Sequence, residues 1–294
     1  MTAKYRKGFV QRDSVEREEY AKVPSASPGE GKERDGAENL LERILDRNNL
    51  NRAYKQVKGN HGAPGIDGMT VEQALPWLQE HRAELLQSIR EGKYTPSPVR
   101  RKEIPKPDGG VRKLGIPTVV DRIIQQAIAQ QIQPIYEPLF SDASYGYRPR
   151  RSGQQAVRQV KKYAEQGYTY AVEVDLSKYF DTLNHELLME LLRKQIHDKR
   201  VTGLIKRYLK AGVMENGVIT RTREGSQQGG PLSPLLANIY PNELDQEMTR
   251  RGVKVVRYAD DIVVVTKSKR AAEHMLESCR KFLAGRLQLT MNLQ

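Results

Sequence analysis

The sequence predicts an α+β fold built on an antiparallel sheet backed by helices. Two observations carry that expectation. From Tyr168 onward the apolar periodicities read strand, helix, hairpin, helix, strand, strand, helix. The last two strands, VKVVRY and IVVVT, are β-branched runs on either side of Ala259, Asp260 and Asp261.

Residues 1–37 are rich in charge, Ser, Gly and Pro (KVPSASPGEGKERDG), so they bury little and read as a mobile polar leader. Order is expected from Glu38, where Leu40, Leu41, Ile44 and Leu45 recur at helical spacing, followed by Ala53, Tyr54 and Val57. The loop GNHGAPGIDG intervenes. Thr70 followed by Gln73 then has the signature of a capping box, and Leu78, Leu85, Leu86 and Ile89 mark a helical stripe up to Gly92.

Residues 98–117 read as two short strands joined at Asp108, Gly109 and Gly110, with Lys106 and Arg112 around one hairpin. Asp121 is expected to cap a helix whose Ile123, Ile124, Ala127, Ile128, Gln131 and Ile132 form one face, ending at Pro134. A further helix covers Gln154 to Glu165.

In YTYAVEVD, Tyr170, Val172 and Val174 alternate with Ala171, Glu173 and Asp175, the pattern of a half-buried strand with Asp175 at its far end. Asn184 is placed to cap the amphipathic helix of Leu187, Leu188, Leu191 and Leu192, and Asn216-Gly217 suggests a hairpin. Ser233 as a cap with Pro234 at the first helical position announces the next helix, and another spans about residues 270–285. Pro241 falls inside the expected Ser233 helix, where it would kink or weaken it.

Composition narrows the chemistry. Of 294 residues, 49 are Lys or Arg and 36 Asp or Glu; the net charge of +13, scattered among apolar segments, suits a charged groove that meets a polyanion such as nucleic acid. One cysteine excludes an intrachain disulfide and a cysteine zinc site, and the five histidines lack ligand spacing. No apolar run reaches the roughly 20 residues of a membrane span, and the start lacks a signal peptide's apolar stretch; a reducing cytoplasm is expected.

The adjacent carboxylates in RYADDIVVV are the sharpest feature, although Asp is common in turns and an isolated pair is ordinarily solvated. Asp175 ends a second apolar strand. Three carboxylates from adjacent strand ends could hold two Mg²⁺ ions about 4 Å apart, activating an attacking 3′-hydroxyl and stabilising a leaving pyrophosphate. Phosphoryl transfer needs mainly positioning and charge neutralisation, which such oxygen ligands supply.

Asp175 with its YFD continuation, QQGGPLSPLL and YADD, in this order, resemble the successive motifs of reverse transcriptases. IPKPDGGVRKLGIPTVVDRIIQQA, FSDASYGYRPRRSGQQAV and GAPGIDGMT resemble the group II intron maturase branch; the likeness covers about residues 40–294. It implies the fingers and palm of a right-hand polymerase, with residues 38–167 as N-terminal extension and fingers and 168–294 mainly palm, fingers elements interleaved. Because the chain stops at LQLTMNLQ, the resemblance also implies that the thumb is absent and synthesis poorly processive.

By the same resemblance Asp175, Asp260 and Asp261, with the Leu176 carbonyl, would hold Mg²⁺, for which Mn²⁺ could substitute. Phe180 matches the aromatic gate that crowds a ribose 2′-hydroxyl, the alternative being an ordinary core phenylalanine. Lys106 and Arg112 match the basic pair that folds over the incoming triphosphate. Gln228, Gly229 and Gly230 match the loop that contacts nucleotide and template, with Gln227 where many relatives have proline. Tyr145, Tyr147, Arg148, Arg150 and Arg151 are a composition suited to bases and phosphates, or equally to a packed surface loop. GNHGAPGIDG resembles a loop that lies over the template.

The implied activity is RNA-directed DNA polymerisation: deoxynucleoside triphosphates added to a DNA or RNA primer on an RNA template, with the cognate group II intron RNA as a further partner in splicing and retromobility. An RNA-binding splicing-cofactor fragment with little polymerase activity of its own, a retron or defence-type reverse transcriptase, and a palm-like RNA polymerase or nucleotidyl cyclase are the alternatives. Phe180 and the Lys106/Arg112 hairpin argue against the last, and GAPGIDGMT against most of the retron and defence types.

Overall fold

In the computed structural model, the described residues are 39–105, 109–177, 179–215, 217–220, 224–226 and 229–292. The leader, Lys106, Asp108, Asn216, Gln227 and Gln228 lie outside them. Helices α1 (Leu40–Ile44) and α2 (Arg47–Gly59) meet at Asp46, whose carboxylate accepts from the Asn48 and Asn49 amides and caps α2. Helix α3 (Ala74–Arg90) follows the Thr70/Gln73 box, in which each backbone N–H donates to the other's side chain at 2.9 and 3.4 Å.

Helix α4 (Val119–Tyr136) is the central pillar, with Ile123, Ile124, Ala127, Ile128 and Ile132 buried against Leu41, Ile44, Ala53 and Val57. Two expectations are corrected here. Its cap is Thr118, whose hydroxyl accepts from the Asp121 amide and donates to Asp121 Oδ2 at 2.8 Å; Asp121 sits one turn in, also accepting from Tyr94 Oη and the Ser97 amide. Pro134 does not end the helix. It lies in the last turn, and a 3₁₀ turn over Glu137–Leu139 completes it.

Strands β1 (Val99–Pro105) and β2 (Val111–Ile116) form the expected antiparallel hairpin. Its other edge pairs in parallel with β4 (Val213–Glu215), which turns back into β5 (Val218–Thr220), giving the order β2-β1-β4-β5. Residues from the first and second halves of the chain thus share one sheet. Between them run α5 (Gly153–Glu165), β3 (Tyr170–Val174), α6 (Tyr179–Thr182), α7 (His185–Arg193) and α8 (Lys199–Lys210). Asn184 caps α7 as expected, accepting from the Leu187 amide at 3.0 Å.

The second sheet has the order β3-β7-β6, all antiparallel, with β6 at Lys254–Tyr258 and β7 at Asp261–Thr266. Its register puts Val172, Val174, Ile262, Val264, Val255 and Arg257 on one buried face. The apolar members join a core with Leu244 and Met248 of α10 (Asn242–Arg250) and Cys279 of α11 (Lys269–Phe282). Burial pushes the Cys279 thiol up to about 11, so it is an inert core group.

Helix α9 (Ser233–Ile239) begins one residue earlier than its sequence suggests, with Leu232 at the cap position and Ser233 already helical. Pro241 neither kinks nor strains an interior turn: the expected single helix divides there, and Pro241 is the cap position of α10 with φ −79°. Its missing N–H is one that a helix start leaves unpaired anyway.

Candidate active site

The sheet register places Asp175 and Asp261 at neighbouring strand ends. Val174 pairs with Ile262, so the next step along both strands sets Asp175 across from Asp261, on the face opposite the core. Tyr258 pairs with Asp261, leaving Ala259 and Asp260 as the two turn residues of the β6–β7 hairpin. Ala259 has φ +58°, a left-handed conformation that costs a non-glycine residue about 1–2 kcal/mol.

What holds this strained turn was not singled out in the sequence. Arg257, fully buried, donates from Nη1 to the Ala259 carbonyl at 3.0 Å and to Asn238 Oδ1 at 2.9 Å. Its Nε and Nη2 meet the Asp245 carboxylate, and Nη2 also reaches Ser144 Oγ. Asn238 Nδ2 donates to the Gly146 carbonyl at 2.7 Å. A Cβ on Gly146 would lie 3.0 Å from Ala259 Cα and closer still to its nitrogen, so only glycine lets this backbone pass. A signal was available: a charge at the same parity as Val255 in a β-branched strand demands a buried partner.

Asp175 is approached from the other side. The Ser177 amide donates to the Thr290 carbonyl and the Asn292 amide to the Asp175 carbonyl, both at 2.9 Å, a bridge that pairs Leu176 with Met291. Phe180 is half-buried on α6, edge-on to Tyr179 at 5.4 Å between centroids, and its carbonyl accepts from the Ser226 amide. Tyr179 Oη donates to the Ala237 carbonyl at 2.7 Å; burial holds this phenol far above its ordinary value, so it stays a donor. His185 Nε2 is 2.6 Å from the Gly225 carbonyl, and burial lowers the ring's pKa. These bonds tie the 224–226 segment to α6 and α7.

Gly229 has φ +119°, and a Cβ there would come within 2.6 Å of the Gly115 carbonyl of β2. A Cβ on Gly230 would meet the Gln125 side chain. Both glycines therefore answer first to close contact within the protein. Arg112 stands opposite Ile104 in the β1–β2 register. Arg100 donates to the Pro64 carbonyl and Arg122 to the Ala63 carbonyl, pinning the GNHGAPGIDG loop to β1 and α4.

In the tyrosine-arginine segment the side chains part company. Arg148 is buried and directs its donors to Glu137 and to the Ser141 and Ser144 carbonyls. That geometry gives it a packing role in place of the nucleic-acid contact expected from composition. Arg151 binds Asp142 and lies over the Tyr145 ring at 5.1 Å, whereas Arg150 is exposed with φ +60° and Tyr147 is half-buried with φ +54°.

The family model for reverse transcriptase (RNA-dependent DNA polymerase) matches residues 104–294. The chain belongs to the reverse transcriptase family. Protein YkfC of Escherichia coli is 38% identical over 278 residues, covering 80% of this chain and 72% of YkfC. The group II intron-encoded protein LtrA of Lactococcus lactis is 39% identical over 206 residues, 70% of this chain but 34% of LtrA. This reverse transcriptase chain thus spans about a third of the length of that relative. Among solved structures, a chain of a Cas6-RT-Cas1–Cas2 complex aligns with TM-score 0.52 at 22% identity over 84% of this chain and 42% of its own. Apo telomerase from Candida tropicalis aligns with TM-score 0.50 at 13% identity over 76% and 54%. The fold is that of polymerase fingers and palm.

For a reverse transcriptase the donor set is chemically apt, since carboxylates and a backbone carbonyl are hard oxygen ligands suited to Mg²⁺. Among the described residues, however, no three Asp, Glu, His or Cys side chains close into a ready ligand cluster. Asn292 Nδ2 instead donates to Asp175 Oδ2 at 2.9 Å, taking an oxygen a cation would use. The residues fit the ion by type and register. Among the described residues no helix is long and apolar enough to cross a membrane.

Proposed function

We propose that this reverse transcriptase chain extends a DNA or RNA primer along an RNA template with deoxynucleoside triphosphates. The observation that carries the reading is the register of Val174 with Ile262, which sets Asp175 opposite Asp261 beside the Asp260 turn. Asp175, Asp260, Asp261 and the Leu176 carbonyl would hold two Mg²⁺ ions, or Mn²⁺ in their place. Bound there, the ions would lower the cost of deprotonating the primer 3′-hydroxyl and offset charge on the leaving pyrophosphate.

The chain's own groups do the positioning. Arg112, with Lys106, neutralises the triphosphate; Phe180 limits room for a 2′-hydroxyl; Gln228 and the backbone at Gly229 and Gly230 border the nucleotide and template. Tyr145, Tyr147, Arg150 and Arg151 offer ring faces and cations to the nucleic acid. Residues 38–167 serve as extension and fingers and 168–294 mainly as palm. Relatives named as group II intron proteins and a nuclear intron maturase support the cognate intron RNA as a further partner, with splicing and retromobility as its context.

Primer extension on an RNA template with Mg²⁺ tests the reading, comparing the parent with Asp175→Ala, Asp260→Ala and Asp261→Ala after each is shown to be folded. Extension by the parent alone is expected. Equal extension by all four would end the carboxylate assignment.

A further inference from the structure

The structure assigns Arg257 as a positioning residue for the carboxylate turn, an inference that deepens the polymerase reading and rests on it. Arg257 and Asp245 are both fully buried, with Nη2 to Oδ2 at 2.6 Å. Replacing a buried ion pair by apolar residues of similar volume is often neutral or stabilising, so packing alone is a weak reason for an ion pair here. The acceptors explain the choice. A guanidinium presents five N–H groups in one plane, and here they meet Asp245, Ser144, Asn238 and the Ala259 carbonyl, which lie on four separate segments.

Two of those contacts bear on the hairpin turn. Ala259 is the residue forced to positive φ, and its carbonyl is the atom that Arg257 anchors. Asn238 carries the link onward to the Gly146 carbonyl, while the backbone of Arg257 donates to Ala143 and accepts from Tyr145, both at 2.8 Å. The tyrosine segment is therefore laid along the edge of β6 by the Arg257 backbone, and the Arg257 side chain ties it to the turn through Ser144 and, by way of Asn238, Gly146. Asp260 and Asp261 follow Ala259 directly, so the direction of their carboxylates is set by a residue that meets neither substrate nor ion. Lysine could not replace it: three donors on one nitrogen cannot reach these acceptors at once.

The test separates positioning from packing. Arg257→Met alone strands Asp245 in the core and is expected to destabilise the fold severely. Combined with Asp245→Leu it removes the buried charges together, and melting near the parent temperature is expected. In that double variant, without any metal, hydrogen exchange across Tyr258–Ile262 should quicken at least about tenfold, and extension should fall by about 10- to 100-fold, the range for outer-shell partners of metal ligands. Parental exchange and parental extension in the folded double variant would overturn the proposal, because the pair would then only fill space.

Arg257→Lys, which keeps a charge against Asp245, provides a second arm should the double variant fail to fold. Faster turn exchange with slower extension supports the assignment, and parental values for both overturn it. Exchange is read without primer, template or ion. Failure of the parent to extend would therefore count against the polymerase reading and leave the Arg257 result intact.

Discussion

The Asn292 side chain donates from Nδ2 to Asp175 Oδ2 at 2.9 Å while its backbone N–H donates to the Asp175 carbonyl at the same distance. One residue thus grips the carboxylate and the main chain of a proposed metal ligand. Both are solvent-exposed.

An exposed hydrogen bond of this kind contributes little to stability, on the order of 1 kcal/mol or less. Asn292→Ala should leave the melting temperature nearly unchanged. Its effect belongs at the cation: with the competing amide gone, half-maximal extension should need less Mg²⁺, while the maximal rate falls if the amide also orients Asp175. A Mg²⁺ titration of primer extension separates the two. An unchanged midpoint and an unchanged maximum would show that the amide is a bystander.

Phe180→Val tests the gate. The ring is held edge-on by Tyr179 and lies at the rim of the core, not within it, so the substitution should fold. Removing the ring should raise ribonucleotide use relative to deoxynucleotide use by about 10- to 100-fold, the scale on which a pocket discriminates by shape. Competition between the two nucleotides on one template measures it, and loss of stability without a change in the ratio would return Phe180 to the core.

His185 makes stability depend on pH in a stated direction. Nε2 donates to the Gly225 carbonyl, and Nδ1 is buried with no partner among the described residues, so protonation would bury an unpaired N–H. Burial accordingly lowers the folded pKa below the ordinary value of 6.5. Above that value the ring is neutral folded and unfolded; as pH falls below it, the unfolded chain takes the proton first and stability declines until the lowered folded value is passed. Urea midpoints from pH 7 to pH 5 should fall less steeply in His185→Gln than in the parent.

Pro241→Leu should matter little. Were the proline inside a helix, its replacement would recover about 3 kcal/mol. At the cap position of α10 that gain is unavailable, and a change within about 1 kcal/mol is expected in chemical denaturation.

Local rules carried far in this chain because each operates within a few residues. The Asn184 cap, the Thr70/Gln73 box and the β1–β2 hairpin were legible from spacing, and alternation alone put Asp175 at a strand end. The cap of α4 was misplaced by one turn: Thr118, whose hydroxyl accepts from the Asp121 amide, takes the position expected of Asp121. Long-range partners left fainter marks. Arg257 carries a mark, its parity with Val255 in a β-branched strand, but neither it nor Arg148 names its partner in the sequence, and only the meeting with Asp245 or Glu137 makes each an internal strut. Gly146 and Gly229 likewise read as turn residues until Ala259 and Gly115 are seen beside them.

The parallel pairing of Val99 with Val213 sets an order on synthesis. Strand β1 leaves the ribosome roughly 110 residues before the strand that covers its second edge, a wait of about 5 to 25 s at ordinary elongation rates. During that interval the β1–β2 hairpin offers an unpaired edge, open to other nascent chains. Arg100, Arg101 and Lys102 fall within that same strand, so their charges repel like edges while the protein is being made.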